Sequence, residues 1–390
     1  MTAAEAAEKW GVSIRQVQRL LAANRIPDVI QYGKRFVIPA YAEKPGSLYF
    51  TKQDRKQISL SSDLDHVVAA TTLPMPRNNP DTILETVKEK RFRLIYESEL
   101  AYLRGDFGQL ISYYRNTAED DAVRLRSCPL TIAAAIAMGD YTFYTEIEAY
   151  LKGIVKADMG ANVTAVAKLS LDTAYVSIVA PNMVSDQLKN GDFSALSNPA
   201  KQDAAYKRAK YFYCTAQYES ALATAQTALA FCHFGQGISI RDIYLRLITA
   251  TSCSALGRMD DAKSYLLEAM KIYLPHGFIT PFVETTIELK GLFEQCLEHE
   301  FPAYHPAITE QWKRTIPNWI DFHNRFTKDN ITKILSLREL QIAKLITKRV
   351  SRVNIAKQFN ISPGGLNNII EVIYGKLFVT SRNELAKYIL

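Results

Sequence analysis

The sequence predicts a mostly α-helical chain in which two small helix-turn-helix modules flank an array of helical hairpins. Three observations lead there. A small residue, a turn residue four positions on and a branched apolar residue six beyond that occur at Ala7, Gly11 and Val17, and again at Ala356, Asn360 and Leu366. A phrase of glycine or alanine, one polar residue and an aromatic or methionine recurs between helical stretches of the middle. Positive charge gathers at the ends: residues 1–45 hold seven Lys/Arg against four Asp/Glu and residues 333–390 hold ten against three, while the middle is slightly acidic. Basic ends around a near-neutral body are what phosphate-contacting modules on a helical core would look like.

At 390 residues the chain is too long for one core, and two to four domains are expected. Its 48% hydrophobic and 22% charged residues are those of a soluble globular protein. No apolar run approaches the ~18 residues of a membrane span, and the acidic first residues are unlike a signal peptide. The five cysteines are scattered and never paired as Cys-x-x-Cys, so they read as reduced thiols of a cytoplasmic protein.

The first module spans residues 1–45. Thr2 and Glu5 form a capping box for a helix to Trp10, with Ala3, Ala6, Ala7 and Trp10 on one face. Gly11 supplies the positive φ of a tight turn. Ser13 and Gln16 cap a second helix to about Ala23, in which Val17, Leu20 and Leu21 form the buried stripe. Arg15, Gln16, Gln18 and Arg19 project outward, and such side chains read base edges and hold phosphates. Val29 to Tyr32 and Arg35 to Ile38 follow as a hairpin with Gly33-Lys34 at its tip, so Lys34 and Arg35 are placed to touch the backbone of a nucleic acid. The segment resembles the winged domain of the MerR and excisionase families. That resemblance implies DNA contacts at Ser13, Arg15, Gln16, Gln18, Arg19, Lys34 and Arg35.

Residues 46–80 lose helical periodicity and carry several Pro, Gly and Ser, predicting a linker with at most a short strand or helix around Leu48 to Val68. Residues 81–326 read as helical repeats. The recurrent phrase stands at Gly105-Asp106-Phe107, Gly139-Asp140-Tyr141, Ala216-Gln217-Tyr218 and Gly257-Arg258-Met259, with Gly191-Asp192-Phe193 out of context. The first two are 34 residues apart and the last two 41, and the interval between predicts one degenerate repeat. Ala221 with Ala228, and Ala262 with Ala269, place small residues where helices cross closely. These features resemble tetratricopeptide repeats, whose stacking gives an α-solenoid with a concave face. Most aromatics, among them Tyr113, Tyr114, Tyr144, Tyr206 and Tyr213, fill repeat cores in that reading, and a few line a ligand face. Leu256 to Glu284 resembles the end of the repeat domain in MalT-type LuxR regulators. The nucleotide-binding loop of those regulators is missing from this sequence.

Residues 331–390 form the last module. Ser336 and Glu339 are placed as a capping box, Ser351 to Phe359 reads as a helix, and Ser362-Pro363 opens the recognition helix. Leu366, Ile369, Ile370 and Ile373 make its buried face. The Leu-Ser-Leu-Arg-Glu opening and Ile373-Tyr374-Gly375-Lys376-Leu377 resemble the LuxR-type DNA-binding domain, which implies a four-helix helix-turn-helix. The family's recognition-helix Lys and His stand here as Asn367 and Ile369, and Gly364-Gly365 weakens the first turn. Asn367 and Asn368 have the chemistry to read adenine. Arg349, Arg352, Lys348, Lys357 and Lys376 have the charge for phosphates, and Ser362, Gly364 and Gly365 sit where a backbone approaches DNA. The alternative at this end is a degenerate domain kept for dimerisation.

The sequence thus predicts a DNA-binding transcriptional regulator, bacterial in type, whose repeat domain senses a peptide, a protein or a small effector. The partners expected are double-stranded DNA, RNA polymerase, that effector and a second copy of the chain, with no membrane. No catalytic residues, cofactor or metal are expected; His299 and His305, for example, are six apart, which is not a helical ligand spacing. The competing reading is an interaction scaffold of helical repeats with degenerate terminal modules.

Overall fold

A computed structural model describes residues 1–22, 26, 29–32, 35–44, 52–231, 237–289, 291–328, 335, 337–377 and 379–389. The described residues form 21 α-helices, several single 3-10 turns and one two-stranded sheet. By its internal contacts the chain divides into two units, Met1–Gln57 and Ile58–Leu390.

In the first unit, α1 (Ala3–Trp10) begins at Thr2 with the expected reciprocal capping box. Glu5 N–H donates to Thr2 Oγ1 at 3.3 Å and Thr2 N–H to Glu5 Oε2 at 2.8 Å. Gly11 ends it at φ 61°, with its N–H on the carbonyls of Ala7 and Glu8. α2 (Ile14–Ala22) opens with Gln16 N–H on Ser13 Oγ and Ser13 N–H on Gln16 Oε1. β1 (Ile30–Tyr32) and β2 (Arg35–Val37) pair antiparallel, Ile30 opposite Val37 and Tyr32 opposite Arg35. Ala6, Ala7, Val17, Leu20, Leu21, Ile26, Ile38 and Ala42 close the core. The segment after β2 is tied back to α1, because Ile38 N–H donates to the Met1 carbonyl and the Trp10 indole to the Ala42 carbonyl.

The stretch expected to be a linker carries α3 (Lys52–Ala70). Its Leu64, Val67 and Val68 are buried in the core of the second unit together with Met75 and Ile83. The sparse apolar residues of this stretch hid a helix that contributes one narrow face. A 3-10 turn at Pro80–Thr82 leads into α4 (Ile83–Thr86).

The hairpins follow: α5 (Lys90–Arg104) with α6 (Phe107–Arg115), α7 (Asp121–Met138) with α8 (Tyr141–Ala157), and α9 (Ala161–Ser177) with the short α10 (Asp186–Asn190). Then come α11 (Asn198–Cys214) with α12 (Tyr218–Ala230) and α13 (Ile240–Ala255) with α14 (Met259–Tyr273). The recurrent phrase is the turn of four of these hairpins. Gly105, Gly139, Ala216 and Gly257 all sit at positive φ, and Asp106 and Asp140 accept the N–H groups of Gln109 and Phe143 as caps. Ala221, Ala262 and Ala269 are fully buried at helix crossings. α9 and α10 fill the long interval with a hairpin whose second helix is one turn long, ending at Gly191.

The hairpins' first helices pack in order, α5 on α7, α7 on α9, α9 on α11 and α11 on α13. α15 (Thr280–Thr285) then packs on both α13 and α5, so the array's two ends meet. Glu284 of α15 accepts the hydroxyls of Tyr102 from α5 and Tyr244 from α13, each at 2.5 Å. Arg104 adds hydrogen bonds to the His276 carbonyl and to Asp81. A concave face was the expectation; with the ends of the array in contact, the first helices and the strap line a partly open pocket.

After a 3-10 turn at Thr286–Leu289 and α16 (Leu292–Glu300), the long α17 (His305–Thr327) straps the carbonyl ends of the first helices. Arg314 donates to the Gly105 carbonyl, Asn318 to Ala137, Trp319 to Ser177, and His323 Nδ1 lies 2.6 Å from the Ile178 carbonyl. These carbonyls have no partner within their own helices, so a polar strap is the cheapest way to bury them. The module α18 (Leu337–Thr347), α19 (Arg352–Gln358), α20 (Pro363–Leu377) and α21 (Arg382–Leu385) completes the unit.

The strap presses on two of the turn glycines, Gly105 and Gly139, and not on Gly257. A Cβ on Gly139 would stand 2.8 Å from Asn318 Oδ1, and one on Gly257 would meet nothing. Both φ angles are left-handed, so both Ala variants bear the backbone cost of about 1 kcal/mol or more. Gly139→Ala must also displace Asn318 from the Ala137 carbonyl. We expect it to cost about 1 kcal/mol more than Gly257→Ala, compared by chemical denaturation of the full chain. Equal costs would show that α17 does not press on this turn.

Candidate nucleic-acid interface

In the C-terminal module the local sequence sets the geometry. Ser351 Oγ accepts Asn354 N–H and starts α19. Asn360 takes φ 48° in the turn, as a residue that tolerates the left-handed region can. Ser362 Oγ accepts Gly365 N–H at 3.1 Å and starts α20. Ala356 is 4% exposed and Leu366 fully buried, so the small and apolar positions lock α19 against α20 as expected. Ile370 and Ile373 are buried beside Leu366, and Ile369 is half-buried.

The opposite face of α20 is uncovered. Ser362, Gly364, Asn367, Asn368, Glu371 and Val372 are exposed there, and Gly365 is partly so. Arg349, at φ 60° between α18 and α19, and Arg352, Lys348 and Lys357 are exposed around it. Arg352 donates to Asn367 Oδ1 at 3.1 Å, which orients that amide along the helix face. Lys376 is differently placed: its ammonium is held by both oxygens of Glu339 at 2.7 and 2.8 Å. That ion pair joins α20 to α18; the capping box expected of Glu339 pairs it with Ser336. Ser336 lies outside the described residues. Val372, 47% exposed, offers a contact of the thymine-methyl type that the residue pattern alone did not single out.

In the first unit Arg15, Gln16, Gln18 and Arg19 are all exposed on α2, on the side away from Val17, Leu20 and Leu21. Ser13 and the carbonyl end of Gln16 are engaged in the cap, which fixes Gln16 at the helix start. Arg35 is the β2 residue paired with Tyr32. Its side chain and Lys34 lie outside the described residues.

Among the described residues no group of three or more His, Cys, Asp or Glu is placed to hold a metal ion. The described cysteines are free, and burial pushes the thiols of Cys128 and Cys214 up to about 12, so neither is a ready nucleophile. No helix among the described residues is long and apolar enough to cross a membrane.

Residues 333–389 match the family of bacterial regulatory proteins described as the luxR family, GerE. No curated protein and no solved structure matches the chain. The C-terminal module is thus a LuxR-family helix-turn-helix domain, a double-stranded-DNA-binding element of transcription regulators.

Gly364 lies in the first turn of α20 with open space where a Cβ would stand. Gly364→Ala should therefore stabilise the chain by about 0.5–1 kcal/mol, read as a rise in melting temperature. A fall would mean that this turn is not helical in the free protein.

Proposed function

We propose that the chain is a sequence-specific transcriptional regulator that reads DNA through α2 and α20, and whose helical body senses a small effector. The observation that carries this is common to the two ends. Each second helix of a helix-turn-helix pair buries an apolar stripe and leaves a polar face uncovered, with arginines on or beside it. The two faces differ in chemistry. α2 offers Arg15, Gln18 and Arg19 for guanine, adenine and phosphate. α20 offers Asn367 and Asn368 for base edges and takes its positive charge from Arg349, Arg352 and Lys357 around the helix. Lys376, held by Glu339, serves the fold of the module in this reading.

The MerR-like identity of residues 1–45, a tetratricopeptide-like ancestry for residues 81–326 and the separate standing of residues 331–390 are part of the proposal. So are a cytoplasmic location, a homodimer through α21 and the turn after it, where Tyr388 is 41% exposed, and a contact with RNA polymerase. The closed array favours a small effector over a peptide, because an extended peptide needs an open groove.

The test begins with selection of bound sequences from random DNA by the full chain, followed by titrations on the selected site. Arg19→Ala should weaken binding by about 1–3 kcal/mol and relax the preference at one base pair. Replacing both Arg349 and Arg352 with Ala should flatten the dependence of log affinity on log salt by about 0.9 for each phosphate no longer neutralised. Unchanged affinity in an Arg15→Ala, Arg19→Ala double variant would remove α2 from the interface. An unchanged salt slope would remove the arginines around α20.

A further inference from the structure

A cavity of about 250 Å³ lies within the second unit, where the closed array, the strap α17 and the first helix of the DNA-binding module come together. We propose that this cavity binds a small aromatic acid that also bears a hydroxyl or amino donor, its carboxylate on Lys344, and that occupancy changes the DNA affinity of the module. The second half rests on the regulator reading above.

Size comes first. Pockets that hold drug-sized ligands run from roughly 300 to 1,000 Å³, so this one suits a one- or two-ring metabolite. The walls are aromatic, with Tyr206 and Tyr213 of α11, Tyr218 of α12, Tyr244 of α13 and Trp319 of α17. Four of the five come from the hairpins and one from the strap, so no single element could supply the site.

Charge selects the acid. Three lysines and two glutamates line the cavity. Lys210 is paired with Glu288, and both oxygens of Glu284 are taken by tyrosine hydroxyls. The ammonium of Lys344, half-buried on α18, makes no hydrogen bond or ion pair with the described residues, and Lys348 follows one turn later on the same face. Burial and the neighbouring Lys348 lower the Lys344 ammonium pKa and outweigh the opposing pull of Glu288, which is itself paired with Lys210. An anionic ligand group supplies a counter-charge.

Two unpartnered acceptors select the donor. Glu288 Oε2 and Gln311 Oε1, both on the cavity wall, are buried without a hydrogen-bond partner among the described residues. Buried acceptors are costly to leave unpaired, and a ligand hydroxyl or amine satisfies them. A bare phosphate has no ring to lie against the tyrosines and Trp319 of the wall, which disfavours it.

Position makes the site regulatory. Gln341, Lys344, Leu345 and Lys348 of α18 are wall residues, and α18 packs directly on α20. The module is also joined to the body by Gln341 on the Thr286 carbonyl, by Gln295 on the Gln358 carbonyl and by a shared apolar core that includes Phe359. A ligand bridging Lys344 to the body adds to that attachment, so DNA and ligand are coupled through α18.

The experiment uses the full chain and measures probe binding without DNA, then DNA binding with and without probe. Calorimetric titration with 4-hydroxyphenylacetate, indole-3-acetate and 4-hydroxycinnamate is expected to show binding at one site by at least one acid. The matching neutral amide should bind at least 10-fold more weakly, and inorganic phosphate should not compete. Lys344→Met should abolish the preference for acid over amide while the fold, read by circular dichroism and melting, stays intact. Lys344→Arg should retain the preference. No binding by any acid, equal binding of acid and amide, or an undiminished preference in Lys344→Met would overturn the site. At saturating probe, DNA affinity should change at least 3-fold in the native chain and not in Lys344→Met. Unchanged DNA affinity with bound probe overturns the coupling alone, whereas failure to bind any selected DNA overturns the regulator reading and leaves the site standing.

Discussion

The carboxylate of Glu284 is the contact on which the body depends, because it receives hydroxyls from both ends of the helical array. Tyr102 belongs to the first hairpin and Tyr244 to the last, 142 positions further along the chain. A stack of hairpins in which each touches only its neighbours has no reason to close. Joining its ends on one charged acceptor turns a row into a ring, and the short bonds to a partly desolvated carboxylate are of the stronger, charge-assisted kind. The surroundings push the Glu284 carboxyl up from its ordinary value, since burial outweighs the two hydroxyls that favour its charge. Lys210 nearby restores part of the balance. Glu284 remains accessible because it faces the pocket it helps to line.

Closure leaves the carbonyl ends of the first helices pointing inward, and α17 answers them at helical intervals. Gln311 lies against Gly105 and Asn318 against Gly139. Seven residues of helix span about 10 Å, close to the roughly 8–10 Å between packed helices, so the polar side chains of the strap are in register with successive hairpins. Glycine is needed at 105 and 139 for two reasons, the left-handed turn and the approach of the strap. At Ala216 and Gly257 only the turn applies, and alanine is tolerated at one of them.

What the sequence disclosed and what it withheld follow the range of the interactions. Caps at Thr2, Ser13 and Ser362, the turns at Gly11 and Asn360, the β1–β2 pairing and the four hairpin turns are set by residues within a few positions, and all were legible. The array's closure and the strap depend on contacts between residues more than a hundred positions apart. Tyr102, Tyr244 and Glu284 each look like ordinary members of amphipathic helices. The spacing of Gln311 and Asn318 was the available clue, and it is meaningful only once the hairpin pitch is known. The buried face of α3 was hidden because its apolar residues are few, and the Glu339–Lys376 ion pair joins residues 37 positions apart, beyond the reach of local spacing. For the binding face the residue types were readable, while the engagement of Lys376 and the freedom of Lys344 were not, since both depend on which helix comes to lie beside them.

Placing α18 in the wall of the pocket has a thermodynamic consequence. The helix is at once the scaffold against which the recognition helix packs and the surface that carries the uncompensated Lys344. Any molecule that prefers this arrangement stabilises the docked module by its differential affinity and by no more than that. The module is joined to the body by the hydrogen bonds of Gln341 and Gln295 and by an apolar core that the two share. An effector of the proposed kind would act where α18 lines the cavity, at the joint in which module and body share hydrogen bonds and one apolar core.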